Sequence, residues 1–152
     1  MSTNNLSVEH VNAAYKALAS GDLNQVKEYW AENMRWLVPG HHPLAGWYEG
    51  LDGFFGFMTE VGKLSGNSFR MDPITIMTND EYSADVTHNL GFRAGFDETT
   101  AKVPFTKLDI NVVHVLRWEN GKVVEGKGAI YGDGTTNFDQ FWGPLSDDET
   151  RL

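Results

Sequence analysis

From Tyr82 to Phe96 the sequence alternates without interruption. Tyr82, Ala84, Val86, His88, Leu90, Phe92, Ala94 and Phe96 fall on one side, and Ser83, Asp85, Thr87, Asn89, Gly91, Arg93 and Gly95 on the other. A period of two held over that length dictates an extended strand whose two faces meet different surroundings. Its apolar set is the expected core face. A second long run follows, with Leu108, Ile110, Val112, His114, Leu116 and Trp118 on one face and Asp109, Asn111, Val113, Val115 and Arg117 on the other. The polar segment from Asp97 to Lys102 reverses the chain between them. Asn120-Gly121 is a strong hairpin signal leading into a last strand, Lys122 to Tyr131. Upstream, Phe69 and Met71 alternate in one register and Ile74 and Ile76 in the other, so a bend is expected at Asp72-Pro73. The segment from Phe69 to Tyr131 therefore reads as antiparallel strands.

The first part of the chain carries helical spacing instead. Val8, Val11, Tyr15 and Leu18 share one helical face, and Gly21 suits the left-handed C-cap. Asp22 caps a second helix, with Gln25 as its capping-box partner and Leu23, Val26 and Trp30 as its apolar stripe. A short strand, Met34 to Val38, precedes the turn-rich segment Pro39 to Gly50. Leu51, Phe54, Phe55, Met58 and Val61 mark a third helix, and Phe138, Phe141 and Trp142 a closing helix or docked tail. The expected class is α+β: one domain over residues 1–152, with three helices packed on one face of a curved antiparallel sheet.

Composition narrows the function classes. The chain has 152 residues, no cysteine and a formal charge of −9, with 12 Lys and Arg. Disulfides, thiolate metal sites and cysteine nucleophiles are excluded. The acidic balance and the lack of a basic cluster argue against nucleic acid as a partner. No apolar run is long enough to span a membrane, and Met1 to Ser7 lacks the features of a secretory signal, so a cytoplasmic location is expected. Phosphate-binding glycine loops and serine-nucleophile elbows are absent. The five histidines have no metal-ligand spacing, so neither a metal nor a cofactor is expected.

Several segments carry a family likeness. Ala-Leu-Ala-Ser-Gly-Asp-Leu (17–23), Arg-Trp-Leu-Val-Pro-Gly (35–40), Pro-Leu-Ala-Gly-Trp-Tyr-Glu-Gly (43–50), Val-His-Val-Leu-Arg (113–117), Asn-Gly-Lys-Val-Val-Glu (120–125) and Asp-Gln-Phe-Trp-Gly (139–143) resemble the SnoaL-like branch of the nuclear-transport-factor-2-like superfamily. The resemblance runs over nearly the whole chain. It implies a cone with an internal cavity, often paired as a homodimer through the sheet. It does not imply one chemistry, because the superfamily holds ketosteroid isomerases, polyketide cyclases, epoxide hydrolases, dehydratases and non-catalytic binders.

This sequence departs from their acids. Where ketosteroid isomerases place an Asp base before the strand-ending Pro, Val38 stands here. Tyr15 lies one step from their oxyanion-hole Tyr, and their second Asp falls near Val113 or on His114. Gly128 occupies the position of the acid used by the cyclases and epoxide hydrolases.

The candidate site follows from what remains. His88 and His114 stand among apolar strand neighbours, so both are expected to point into the interior as an acid–base pair. Tyr15 or Tyr48 would donate to a developing oxyanion. Trp36, Trp47, Tyr48, Phe54, Phe55 and Phe92 are expected to line an apolar pocket, with His42 at its mouth and Asp133 at its rim. Asp109, with Asn111, Val113, Val115 and Arg117, lies opposite His114 on a face suited to a homodimer interface. The expected function is cofactor-independent proton transfer (isomerisation, cyclisation or dehydration) on a small hydrophobic carbonyl compound. The alternatives are a non-catalytic ligand-binding or accessory protein with the same cavity, and an interaction domain with a filled interior.

Overall fold

The computed structural model of the protein describes residues 6–145. Helix α1 (Val8–Ser20) is capped by Ser7, whose side chain accepts from the His10 amide, and closes on Gly21 at φ 71°. Helix α2 (Leu23–Tyr29) starts on Asp22, whose carboxylate accepts from the Asn24 amide. Strand β1 (Trp30–Val38) follows at once, four residues earlier than the sequence predicts, and Trp30 opens it rather than ending a helix. A short β2 (Gly46–Glu49) leads into α3 (Gly50–Ser65). Then come β3 (Arg70–Thr78), β4 (Tyr82–Phe92), β5 (Lys107–Glu119) and β6 (Lys122–Ile130). A single 3₁₀ turn and helix α4 (Thr135–Phe141) follow β6.

The strands form one six-stranded sheet in the order β2-β1-β6-β5-β4-β3. It is α+β and curved, as expected, but mixed: β1 runs parallel to β6, and the other pairs are antiparallel. The bend expected at Asp72-Pro73 is a register shift between Pro73 and Thr75. Asn120 and Gly121 both take positive φ, as the tight β5–β6 hairpin requires. The core lies between the sheet and the helices. Trp30, Met34, Leu108, Leu116, Trp118, Val123 and Phe141 are fully buried there. Glycines shape this layer. A Cβ at Gly126 would overlap the Trp36 ring, and one at Gly128 would sit 3.2 Å from the Pro39 ring. The absent side chains on β6 are thus replaced by side chains from β1 and from Pro39 just after it.

One expectation is reversed. In β4 the buried residues are Ser83, Asp85, Thr87, Asn89 and Gly91, while Tyr82, Ala84, Val86, His88, Leu90 and Phe92 face outward. The register gives the reason. Directly paired residues of antiparallel strands point to the same side. Asp85 pairs with His114, Thr87 with Val112 and Asn89 with Ile110, so the polar set of β4 joins the core face of β5. Hydrogen bonds make that burial tolerable. Trp118 Nε1 donates to Ser83 Oγ at 2.9 Å, and Thr87 Oγ1 donates to Asn89 Oδ1 at 2.7 Å.

Candidate functional site

The site is built on the inner face where α1 crosses β4 and β5. Tyr15 projects from the buried face of α1 and donates its hydroxyl to Asp85 Oδ2 at 2.5 Å. The other oxygen of Asp85, Oδ1, lies 2.9 Å from His114 Nδ1 on the neighbouring strand. Asp85 is 2% exposed and His114 6%. A carboxylate only accepts, so the hydrogen of this bond sits on Nδ1. In the neutral form of the ring the lone pair is then on Nε2. Among the described residues Nε2 has no hydrogen-bond partner. Burial and the neighbouring Asp85 carboxylate raise the Tyr15 hydroxyl well above its ordinary value, which keeps it a donor. The result is a Tyr–Asp–His chain ending in a free basic nitrogen.

Aromatic rings flank the Tyr–Asp–His chain, with Trp36 against the imidazole. The Trp36 ring lies 5.6 Å from it, stacked on Phe54 at 4.9 Å, and Trp30 stands edge-on to Tyr15 at 5.9 Å. The glycine at 128 brings backbone close as well, because a Cβ there would lie 3.8 Å from His114 Cδ2.

The remaining sequence candidates are distributed differently. His88 does not join His114. It faces outward and holds Asp109 Oδ1 through Nε2 at 2.5 Å. The reason is the inverted facing of β4 described above. With Asp109, Asn111, Tyr131 and Asp133, His88 lines a half-open cleft of about 360 Å³ on the outer side of the sheet. Asp133 therefore lies at a rim, but not that of the helix-covered interior.

His42 is buried in the loop after β1. Its Nδ1 accepts from the Leu44 amide at 3.2 Å, and Nε2 lies 3.0 Å from the Pro39 carbonyl, so backbone engages both ring nitrogens. Tyr48 gives its hydroxyl to the Leu44 carbonyl at 2.7 Å rather than to the interior. Trp47 is exposed and covered by the Arg35 guanidinium, 3.5 Å from its ring centre. Phe92 lies on the outward face of β4, and Phe55 packs partly buried against the core. Thus Tyr15, His114, Trp36 and Phe54 come together, whereas His88, His42, Trp47, Tyr48, Phe92 and Asp133 do not. No group of three or more potential metal ligands occurs among the described residues. No helix among them is long and apolar enough to cross a membrane.

Asp85 is the member that sequence reasoning misses. Its alternation places it with Ser83 and Thr87 on a face that looks solvent-exposed. The available signal was the register: pairing β4 with β5 so that Asp85 meets His114 puts an acid beside an imidazole.

Comparison with known proteins fits this fold. A model of the SnoaL-like domain matches residues 11–126. The chain belongs to the SnoaL-like family. Among solved structures, this SnoaL-like chain is similar to Bal32a from a soil-derived mobile gene cassette, with 26% identity over 88% of this chain and 94% of that one, at a TM-score of 0.73. It also resembles a cystatin-like-fold protein from Xanthomonas campestris, at 21% identity, 95% and 100% coverage and a TM-score of 0.73. TerC, co-crystallised with polyporic acid, shares the fold at 17% identity, 86% and 92% coverage and a TM-score of 0.63. None of the curated proteins matches the sequence.

Proposed function

We propose that this SnoaL-like protein binds a small hydrophobic carbonyl compound against the inner face of the sheet and moves a proton on it without a cofactor. Isomerisation, cyclisation and dehydration are the reaction types that such a step serves. The observation that carries the reading is the unpartnered Nε2 at the end of the Tyr15–Asp85–His114 chain. Asp85 fixes the tautomer and orientation of His114, and Tyr15 holds Asp85 in place. His114 Nε2 takes a proton from carbon acidified by a carbonyl, next to it or conjugated with it, and returns it elsewhere. Trp36 and Phe54 supply apolar surface for the ligand. Apolar residues packed to the same volume are often as stable as a buried ionic network or more so, which favours a use for this one beyond stability.

The test uses a fused-ring ketone, anthrone, in deuterated buffer. Exchange of its acidic methylene hydrogens, followed by NMR, should be accelerated by the wild-type protein. His114→Ala should lower that acceleration about 10²–10⁴-fold, the usual contribution of a positioned general base. Exchange at the buffer rate with wild type, despite a ligand-induced rise in melting temperature, would leave the non-catalytic binding alternative in its place.

The same proposal includes a homodimer through the outer sheet face. Besides Val113 and Val115, that face carries the outward residues of β4, and Met77, Tyr82, Val115 and Tyr131 are exposed at 55%, 42%, 38% and 47%. A half-apolar face with exposed large hydrophobic residues suits an interface. Sedimentation equilibrium should give twice the chain mass, and Val115→Lys should return the monomer. A wild-type monomer at high concentration would remove this part.

A further inference from the structure

Strand β5 begins at Lys107, but its pairing with β6 stops where Val112 meets Ile130. Residues 107–111 therefore run along the sheet with no strand beside them on that side. Asn137 of α4 takes up part of the missing strand's role. Its Oδ1 accepts from the Asp109 amide at 2.9 Å, and its Nδ2 donates to the Lys107 carbonyl at 2.8 Å. Between β6 and α4 the chain crosses as Tyr131 and the turn Gly132–Gly134, with Gly134 packed so closely on Ile110 that a Cβ would lie 3.1 Å from its side chain. The outer cleft of about 360 Å³ lies at this gap. Its walls are polar. His88 stands opposite Asn111 in the β4–β5 ladder and reaches diagonally to Asp109, where Nε2 gives its hydrogen to Oδ1. In the neutral form of that ring Nδ1 carries the lone pair. Asp109 Oδ2 and the Asp133 carboxylate make no hydrogen bond or ion pair among the described residues. No lysine or arginine is among the described residues that line the cleft, and the Tyr131 side chain stands half exposed beside it. Two carboxylates in one concavity, without a fixed cation, focus a negative potential there.

We propose that this cleft is a second ligand site, separate from the inner face, and that it takes a small organic diamine. One ammonium group is held by Asp133 and the other by Asp109, with His88 Nδ1 and the Asn111 amide oxygen as further acceptors. The Tyr131 ring offers a π-face to the cation or its alkyl chain. The volume suits such a guest. It holds about a dozen water-sized groups, enough for a short diamine and too little for a folded partner. A bare metal ion fits less well, because no group of three or more potential metal ligands occurs among the described residues. Asp133 follows the end of β6, at the edge of the outer face, so a second copy packed on Val113 and Val115 would wall the cleft rather than fill it. The site makes no use of His114 or Asp85, and its failure would leave the inner-face reading untouched.

The experiment titrates isotope-labelled wild-type protein with putrescine and follows the assigned backbone amides by NMR. Two controls accompany it: 1,4-butanediol, which keeps the chain and replaces the ammonium groups by hydroxyls, and magnesium chloride at matched ionic strength. Putrescine should shift the amides of Asp109, Asn111, Tyr131 and Asp133 along saturating curves, and neither control should do so. Asp133→Asn and Asp109→Asn keep the side-chain shape and remove one charge each. Each should raise the putrescine Kd about two- to fivefold, the worth of an exposed ion pair, and the double variant by about the product of the two. Both positions are exposed, and an unchanged spectrum away from the cleft verifies that the variants fold. Absence of saturable shifts in wild type would overturn the proposal, as would a Kd unchanged in the double variant. Butanediol binding as tightly as putrescine would remove the part played by charge, and equal shifts with magnesium would show an acidic surface that attracts any cation; either result overturns the diamine assignment.

Discussion

Strands β4 and β5 carry two histidine–aspartate pairs back to back, one on each face of the sheet. On the inner face His114 of β5 meets Asp85 of β4 at 2.9 Å; on the outer face His88 of β4 meets Asp109 of β5 at 2.5 Å. The chemistry is the same and the distances are similar. What differs is surroundings. The inner side chains are 7% and 3% exposed and the outer ones 39% and 42%. Water competes for the outer pair and screens it, so the bond there contributes little. The inner pair has given up water, which makes each partner dependent on the other and on Tyr15. Distance alone would rank the outer pair as the stronger. Burial reverses that order.

Removing one partner from each pair tests the contrast most directly. Asp85→Ala strands the Tyr15 hydroxyl and the His114 Nδ1 hydrogen in the interior, and should cost about 3–5 kcal/mol in denaturant unfolding. A loss as small as that of an exposed pair would refute the distinction. Tyr15→Phe removes one charge-assisted hydrogen bond and should cost about 1.5–3 kcal/mol. It should also alter the pH profile. Burial raises the Tyr15 hydroxyl above its ordinary 10.0, so the unfolded chain ionises first. Stability from this group is complete below pH about 10 and is lost as pH climbs through the higher folded value. Unfolding measured from pH 8 to 11 should therefore fall less steeply in Tyr15→Phe than in wild type. In the monomeric Val115→Lys background, Asp109→Ala on the outer face should cost only about 0–1 kcal/mol, and high salt should narrow even that difference. A larger, salt-independent loss in that background would refute the contrast, whereas a larger loss confined to the wild-type background is what the proposed dimer through this face predicts.

Most of the fold was legible in the sequence because its elements follow local rules. The α1 face, the Gly21 cap, the Asp22 cap and the Asn120-Gly121 hairpin all depend on neighbours within a few residues. The parallel pairing of β1 with β6 was not legible, since it joins segments that no local pattern links. The candidate site was legible by halves. His114 and Tyr15 could be placed by periodicity, with Trp36 and Phe54 beside them. Asp85 and His88 could not, because alternation says that a strand has two faces without saying which one is covered. Hydrophobicity is the usual guide, and in β4 it points the wrong way: the outward face is apolar, and the inward face holds hydrogen-bonded polar groups. His42 was misread for a smaller reason, namely that backbone groups of its own loop take up its ring.

The strand order also governs how the protein can be made. β1 forms early in synthesis, yet its neighbour in the sheet is β6, which lies between the β1–β2 hairpin and the β3–β5 meander. Until residue 130 has left the ribosome, the two parts of the sheet have no strand to join them, and the apolar face of β1 must be sheltered by the helices without its neighbour β6. The middle of the sheet is therefore completed last. A nascent chain stalled shortly before β6 would present two unpaired strand edges in place of a finished domain, and those edges are where a chaperone would be needed.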